Sequence, residues 1–414
     1  MYLSDTAIRW IIFLINPFIA MIFSIKEYMK PYAKNMFWAF CTFFGFTFAI
    51  GKESQGSDIN RYVIELKELY SQHFLTINEA IEFFQNSGEI DMLRTVLSFT
   101  LSRFTDSQAI LTLVYAFIFG FFYSRNIWYV FGLLKNKLSF LSKILFFALF
   151  LVMPIWQIGG FRMWTAFHVF IYGLLPFIFE NKKNRLIFMY LSVLVHFSYM
   201  IPISIFLVYR LLGNRIKTFF IIFVVSFFIS EFNISSINSF IDNSLPKILV
   251  ERTSSYRNEG EIEQHIEKKL NSKSNWYVVW RSKALSYGLL ISLIYFYFYA
   301  DRRIKIHPEW KRLFSLSLLF YSAANILMNF PSGGRFLNIA FFLSLIMVII
   351  YLDEFYKDLK YKQLMIYLSP LFIFFIIITI RRGFYTTSMT AIFGNPLIAI
   401  FSAGENMSLN DLIK

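Results

Sequence analysis

The chain has 414 residues, of which 57% are hydrophobic, 21% aromatic and only 16% charged, against roughly 25% charged in a soluble domain. That composition excludes an ordinary water-soluble globular class. The one cysteine, Cys41, excludes an intrachain disulfide and any cysteine-based metal centre. The net charge of +14 would suit nucleic acid, a reading that the placement of the charges removes.

In chain order, apolar runs lie near 7–24, 36–51, 108–123, 144–156, 164–179, 186–197, 199–212, 218–232, 284–300, 313–329, 336–352 and 364–380. Most approach the roughly 20 residues that a helix needs to cross hydrocarbon. They are continuously apolar and do not alternate as barrel strands would. The expected fold is therefore an all-α polytopic membrane protein with about 12 transmembrane helices, some short or broken. The first run has neither a basic n-region nor a small-residue cleavage site and reads as an uncleaved span.

The stretch "LIFMYLSVLVHFSYMIPISIFLVY" (186–209) is long enough for a single span. A single span would invert everything after it and put "DRRIKIHPEWKR" outside. Two short helices turning near His196–Ser198, with Pro202 opening the second, keep that basic loop inside. About 14 residues per helix gives only about 21 Å. A turn at membrane depth survives only where it is buried in protein or lines a water-filled cavity, so this one points to a site.

With "KEYMKPYAK" on the cytoplasmic side, the loops at 124–143, 180–185, 210–217, 301–312 and 353–362 also fall inside. These six segments hold 21 basic and 7 acidic residues, and the rest of the chain holds 19 of each. The whole positive excess sits on one face, as topology demands, and no nucleic-acid partner is needed to explain it.

Two large segments remain outside, 52–107 and 233–283. In "DINRYVIELKELY", Ile59, Tyr62, Val63, Leu66, Leu69 and Tyr70 form one helical stripe, and Asp58 takes the N-cap position. A second helix is expected at "TINEAIEFF", where Thr76 and Glu79 form a capping-box pattern. Trp276, Tyr277 and Trp280 at the end of the second segment suit a membrane interface.

Several guanidinium groups fall at outer span ends: Arg162 in "WQIGGFRMW", Arg335 in "NFPSGGRFLN", Arg281 in "VVWRSK", and Arg381 and Arg382 after the last span. Arg257 joins them from the second outer segment. Arginine grips phosphate oxygens in bidentate fashion, so a ligand with a pyrophosphate head and a greasy tail would suit this surface. The alternative for each is a snorkelling anchor at a helix end. Glycines next to Arg162 and Arg335 would let backbone approach a ligand closely. His196 is either a packed core residue or an intramembrane functional group. Asp58, Arg61 and Tyr62 either serve a site or belong to a capped amphipathic helix resting on the membrane. The five histidines are scattered with no H-x-x-x-H pair, which argues against a histidine-rich metal centre but not against a carboxylate-bound metal; the expectation is no metal site and no cofactor. No Gly-rich phosphate loop, GxSxG motif or internal repeat is visible.

Three stretches in this order resemble the EpsG/Wzy-type bacterial polysaccharide polymerases. "GSDINRY", with Tyr70 further on, is similar to the family's G-x-D-x-x-x-Y element. "GGFRMWTAFHVFIYGL" is similar to its R-x-x-x-A span, with Arg162 and Ala166. "LVHFSYMIPI" is similar to its H-x-S turn, with His196 and Ser198. The first element departs from the usual form, in which a basic residue and further glycines precede the Asp; here Lys52, Gly51 and Gly56 stand nearby.

The resemblance implies a GT-C-like, metal-independent glycosyltransferase of the bacterial inner membrane with its active site facing outside. It would transfer a growing glycan from undecaprenyl pyrophosphate onto a lipid-linked oligosaccharide repeat unit. Arg162 and Arg335 would bind pyrophosphate, and Asp58 or His196 would be the base. Arg61, Tyr62, Arg281, Ser198 and Arg257 would contact pyrophosphate or glycan. A chain-length regulator protein is the expected partner. The rival readings are a lipid-linked oligosaccharide flippase, which usually shows two related halves and short loops, and an O-antigen ligase or O-acyltransferase using His196.

Overall fold

The structure is a computed structural model that describes residues 5–50, 57–72, 79, 91–228, 275–328, 330, 332–401 and 406–413. The described residues are helical throughout, with a single isolated antiparallel bridge between Ser388 and Ser408. Four stretches are long and apolar enough to cross a membrane: Gln108–Gly132, Phe140–Glu180, Gly333–Glu354 and Leu359–Gly383. They mark the chain as membrane-embedded.

Among the described residues each apolar run expected from the sequence falls largely on helix, but many of those helices are short. The first run is broken at Asn16 into α1 (Asp5–Ile15) and α2 (Pro17–Lys26), where the Asn16 side chain accepts from the Ile19 N–H and Pro17 occupies the first position. This is a complete helix start in the middle of an apolar run. Then come α3 (Ala33–Phe46), α4 (Asp58–Ser71), α5 (Met92–Ser102) and α6 (Gln108–Gly132). They are followed by α7 (Phe140–Val152), α8 (Phe161–Glu180), α9 (Leu186–Val195), α10 (Met200–Leu212) and α11 (Ile216–Ser226). Further on are α12 (Trp276–Tyr299), α13 (Asp301–Ile306), α14 (Pro308–Leu327), α15 (Leu337–Glu354) and α16 (Leu359–Gly383), and then three short helices.

The chain divides into two compact units. The first comprises 1–137, 153–200 and 379–414, the second 138–152 and 201–378. In the first unit α3 and α6 press together through small residues. A Cβ on Gly45 would meet the Ala116 Cβ at 2.2 Å, and one on Gly120 would meet the Cys41 Cβ at 2.5 Å. Such close backbone approach drives helix association where lipid supplies no hydrophobic force. In the second unit α15 is the central helix: every side chain from Ile339 to Asp353 is buried. It packs on α14, α12 and α7.

Apolar side chains also face outward. Ile187, Leu191 and Leu194 of α9, and Leu207 and Leu211 of α10, are exposed, as hydrocarbon-facing surface should be.

Segment 52–107 carries α4, the expected amphipathic helix, and α5, which lies beyond the second helix expected at 76–84. Ile59, Tyr62, Val63, Leu66 and Leu69 are buried as one stripe, but Tyr70 is exposed. The Thr76–Glu79 capping box lies, apart from Glu79 itself, outside the described residues, as does most of 233–283 with Arg257. Asp58 is not the N-cap. Ser57 holds that position, and Asp58 is the first helical residue, with its carboxylate turned to Arg61 one turn on. Arg281 does not close a loop, because α12 begins at Trp276 and carries Arg281 in its second turn.

Candidate active site

In the first unit four elements converge. Tyr62 is on the buried stripe of α4. Asp91 is the N-cap residue of α5. Arg162 is in the first turn of α8, and His196 is where α9 ends. The chain leaves helix geometry at His196 (φ −153°, ψ 118°), makes a 3₁₀ turn over Phe197–Tyr199, and re-enters helix at Met200. The expected turn is therefore present, and Pro202 sits in the first turn of α10, where no intrahelical N–H bond is lost.

Asp91 joins the four. Its Oδ2 accepts from the Arg162 Nη1–H at 2.9 Å and pairs with His196 Nδ1 at 2.9 Å, and its Oδ1 accepts from the Phe197 N–H at 2.9 Å. Arg162 Nε donates to the Tyr62 hydroxyl at 2.8 Å. The Asp91 side chain is 3% exposed, that of His196 9%, and that of Arg162 24%, so Arg162 is the most open of the three. Behind them, the buried Arg94 pairs with Glu65 and lies 5.0 Å from the centre of the Tyr62 ring.

Two features set this cluster apart from ordinary packing. An N-cap aspartate usually accepts a hydrogen bond from its own helix, worth about 1 kcal/mol, but Asp91 makes no such bond. Its carboxylate is diverted to the histidine and its neighbour. Arg162, in turn, puts a cation at a helix N-terminus, the unfavourable end of the dipole, and Asp91 compensates it.

Burial works to raise the Asp91 pKa. The hydrogen bond and charge of His196, the Phe197 N–H and Arg162 outweigh it, holding the carboxyl below its ordinary value. Burial pushes the Tyr62 hydroxyl above its ordinary value, and the Arg162 charge only partly offsets this.

This geometry has a chemical sense. A carboxylate facing Nδ1 fixes that nitrogen as the donor and leaves Nε2 to accept a proton, the arrangement that orients a general base. Arg162 and Asp91 offset each other, as do Arg94 and Glu65, so with His196 neutral the cluster carries no net charge. It suits a hydroxyl better than a pyrophosphate.

Of the residues read from the sequence, Tyr62, Arg162 and His196 meet here. Ser198 points elsewhere, with its hydroxyl 3.7 Å from Met163 Sδ. Asp58 and Arg61 pair with each other at the start of α4, and Arg61 is mostly exposed. Arg281 and Arg335 belong to the second unit. Arg281 Nη2 donates to Ser282 at 3.2 Å, and its guanidinium lies 5.6 Å from the centre of the Phe375 ring. Arg335 is exposed on a 3₁₀ turn over Gly333–Phe336. That turn requires its glycine, since a Cβ on Gly333 would lie 1.8 Å from the Leu327 carbonyl oxygen.

Asp91 is the residue that sequence reasoning missed. An aspartate before the amphipathic "MLRTVLSF" reads as a plain N-cap, and nothing local signals a partner 105 positions away. Among the described residues no three His, Cys, Asp or Glu side chains group as metal ligands. Comparison with protein-family models, with curated proteins and with solved structures finds no match to this chain.

Proposed function

We propose that the chain is a membrane glycan polymerase. It moves a growing glycan from undecaprenyl pyrophosphate onto a sugar hydroxyl of a second lipid-linked repeat unit, at the outer face of a bacterial inner membrane. The observation that carries the reading is Asp91 bridging Arg162 and His196, which stand in two of the three stretches where the sequence resembles the polymerase family.

In the proposed reaction His196 Nε2 removes the proton of the acceptor hydroxyl. The oxygen attacks the anomeric carbon of the donor, the bond from that carbon to pyrophosphate breaks, and pyrophosphate leaves with the electron pair. Asp91 holds the imidazole in the required tautomer and balances the imidazolium. Arg162 acts through Asp91 and Tyr62. The role first expected for it, gripping pyrophosphate, fits poorly with donors already committed to those two groups. Arg335 belongs to the second unit, and its pyrophosphate role rests on the resemblance alone. About twelve crossings, with the six basic segments in the cytoplasm, complete the proposed topology, and a chain-length regulator remains a proposed partner.

The test uses purified protein in lipid with undecaprenyl-pyrophosphate-linked repeat units. The wild type is expected to build a glycan ladder. His196→Asn keeps a donor where Nδ1 stood but has no base, and should slow the ladder by about 10²-fold. No ladder from the wild type, or an undiminished one from His196→Asn, sinks the reading.

A further inference from the structure

Away from the Asp91 cluster, the first unit holds another arginine fixed in place. Arg125 lies in α6, with its guanidinium 4.1 Å from the centre of the Phe121 ring and 4.5 Å from that of Trp38 on α3. Its Nη2–H donates to Asn35 Oδ1 at 2.9 Å and its Nη1–H to the Ser124 hydroxyl at 2.8 Å. Nε–H and one N–H on each Nη remain. Among the described residues no carboxylate pairs with this half-buried cation.

Arg185, exposed in the turn before α9, is a second cation close by. Its Nη1 lies 3.5 Å from the Tyr172 hydroxyl of α8. The Tyr172 ring in turn lies 6.4 Å from Phe121, the ring that meets Arg125. Gly173 permits this approach: a Cβ there would lie 2.4 Å from the Met189 nitrogen and 2.9 Å from the Arg185 carbonyl oxygen. Glu180 acts on Arg185 electrostatically, but it is already bound by Lys182 at 2.5 Å and by the Tyr129 hydroxyl at 2.6 Å. With Lys183 in the same turn, cations outnumber the carboxylate.

A snorkelling arginine needs only to reach water and takes no fixed position. Arg125 is held by two rings and two hydrogen bonds and still has donors to offer. Stacked guanidinium groups of this kind suit phosphate oxygens. Beside them the surface is apolar. Phe188 lies 5.0 Å from Tyr172 and 6.5 Å from Phe122, and Ile187, Leu191 and Leu194 are exposed along α9. A free phosphate would use the cations alone, whereas an anionic lipid uses both surfaces. Arg125 and Arg185 also belong to loops that charge balance assigns to the cytoplasmic face, and Asn35 directly follows a third.

We propose that this corner of the first unit binds an anionic phospholipid, with Arg125 and Arg185 on its phosphate and its acyl chains along α9. The site stands whether or not the chain polymerises glycan.

The test is native mass spectrometry of the full chain in detergent, titrated separately with phosphatidylglycerol and phosphatidylcholine. The first phosphatidylglycerol is expected to bind about tenfold more tightly than phosphatidylcholine. Arg125→Gln combined with Arg185→Gln should abolish that preference. Asn35→Asp, which gives Arg125 a carboxylate at unchanged side-chain size, should reduce it several-fold. Lys26→Gln, which removes a charge from α2, should leave it intact. A wild type without the preference overturns the proposal, as does a preference that survives the arginine changes or falls equally in Lys26→Gln. Displacement of the lipid by millimolar inorganic phosphate would make free phosphate the ligand and overturn it too. Should the double variant fail to fold, the wild type and Asn35→Asp still decide.

Discussion

Asp91 of the first unit and Asp358 of the second each stand beside an arginine and a tyrosine network. Asp358 accepts from Arg303 at 2.5 Å, from the Tyr351 hydroxyl at 2.9 Å and from the Tyr295 hydroxyl at 3.3 Å. It also accepts the Tyr361 N–H at 3.2 Å, three residues on, and so caps the start of α16. Asp91 gives up the equivalent cap and spends its oxygens on His196 and Phe197. A carboxylate among similar donors is a helix staple when it keeps its cap. It becomes part of a reactive group when the cap is forgone and an imidazole takes that place.

The sharpest way to break this contrast is the same substitution in both places. Asp91→Asn should slow glycan transfer by about 10²–10⁴-fold, since the base loses its orienting partner. It should also destabilise the protein by about 3 kcal/mol, because Arg162 and His196 lose their buried counter-charge. Asp358→Asn keeps a capping side chain and weakens an ion pair whose arginine is 43% exposed. It should cost about 1 kcal/mol and leave the rate unchanged. Ladder rates and thermal unfolding of the two variants decide it, and equal rate losses would erase the distinction.

Acid gives the next largest effect. Both carboxyls are held below their ordinary value, in each case against burial. For Asp91 His196 is the chief opponent of burial, and for Asp358 the Tyr361 N–H, followed by Tyr351 and Arg303. A depressed folded pKa contributes stability that is fully present above the unfolded value of about 3.9 and is lost as pH falls through the folded value. Unfolding temperature should therefore be flat with respect to these groups near neutrality and drop below about pH 4. Asp91→Asn should make that drop shallower, and a drop that is just as steep in the variant would show that Asp91 does not contribute to it.

Much of the fold was legible because hydropathy is local. Among the described residues each apolar run is largely helix, and the turn at His196 followed from charge balance across the loops. The breaks were less legible: Asn16 and Pro17 split a run that hydropathy reads as one. The site was legible only at its ends. Arg162 and His196 stood out as polar side chains in apolar surroundings, whereas Asp91 resembled any helix cap, and its role depends on where α9 ends in space. Tyr62, which the sequence leaves open between a site and the stripe of an amphipathic helix, belongs to both: its ring is buried on the stripe and its hydroxyl accepts from Arg162.

Tyr62→Phe sharpens that point at smaller scale. It removes the 2.8 Å bond from Arg162 Nε and keeps the ring against Tyr115, which lies 6.0 Å away edge-on. The expected loss is about 1 kcal/mol of stability and a several-fold fall in rate, with the apparent pKa of the rate unchanged because the His196–Asp91 contact remains. A shifted pH profile would place Tyr62 in the proton chemistry itself.

The smallest effect belongs to Asp58, the residue that the sequence divides between cap and base. In the structure it does neither: Ser57 is the N-cap, and the Asp58 carboxylate pairs with Arg61, whose side chain is 64% exposed. An exposed pair one turn apart contributes about 0.2–0.5 kcal/mol. An acidic residue in the first turn adds a comparable amount through the helix dipole. Asp58→Asn removes the charge while keeping side-chain size, so it should shift stability by less than about 1 kcal/mol and leave the ladder rate within twofold. If this exposed carboxylate instead carried the acceptor's proton, the rate would fall as far as in His196→Asn while stability stayed put. That single outcome would move the base from the end of α9 to the start of α4.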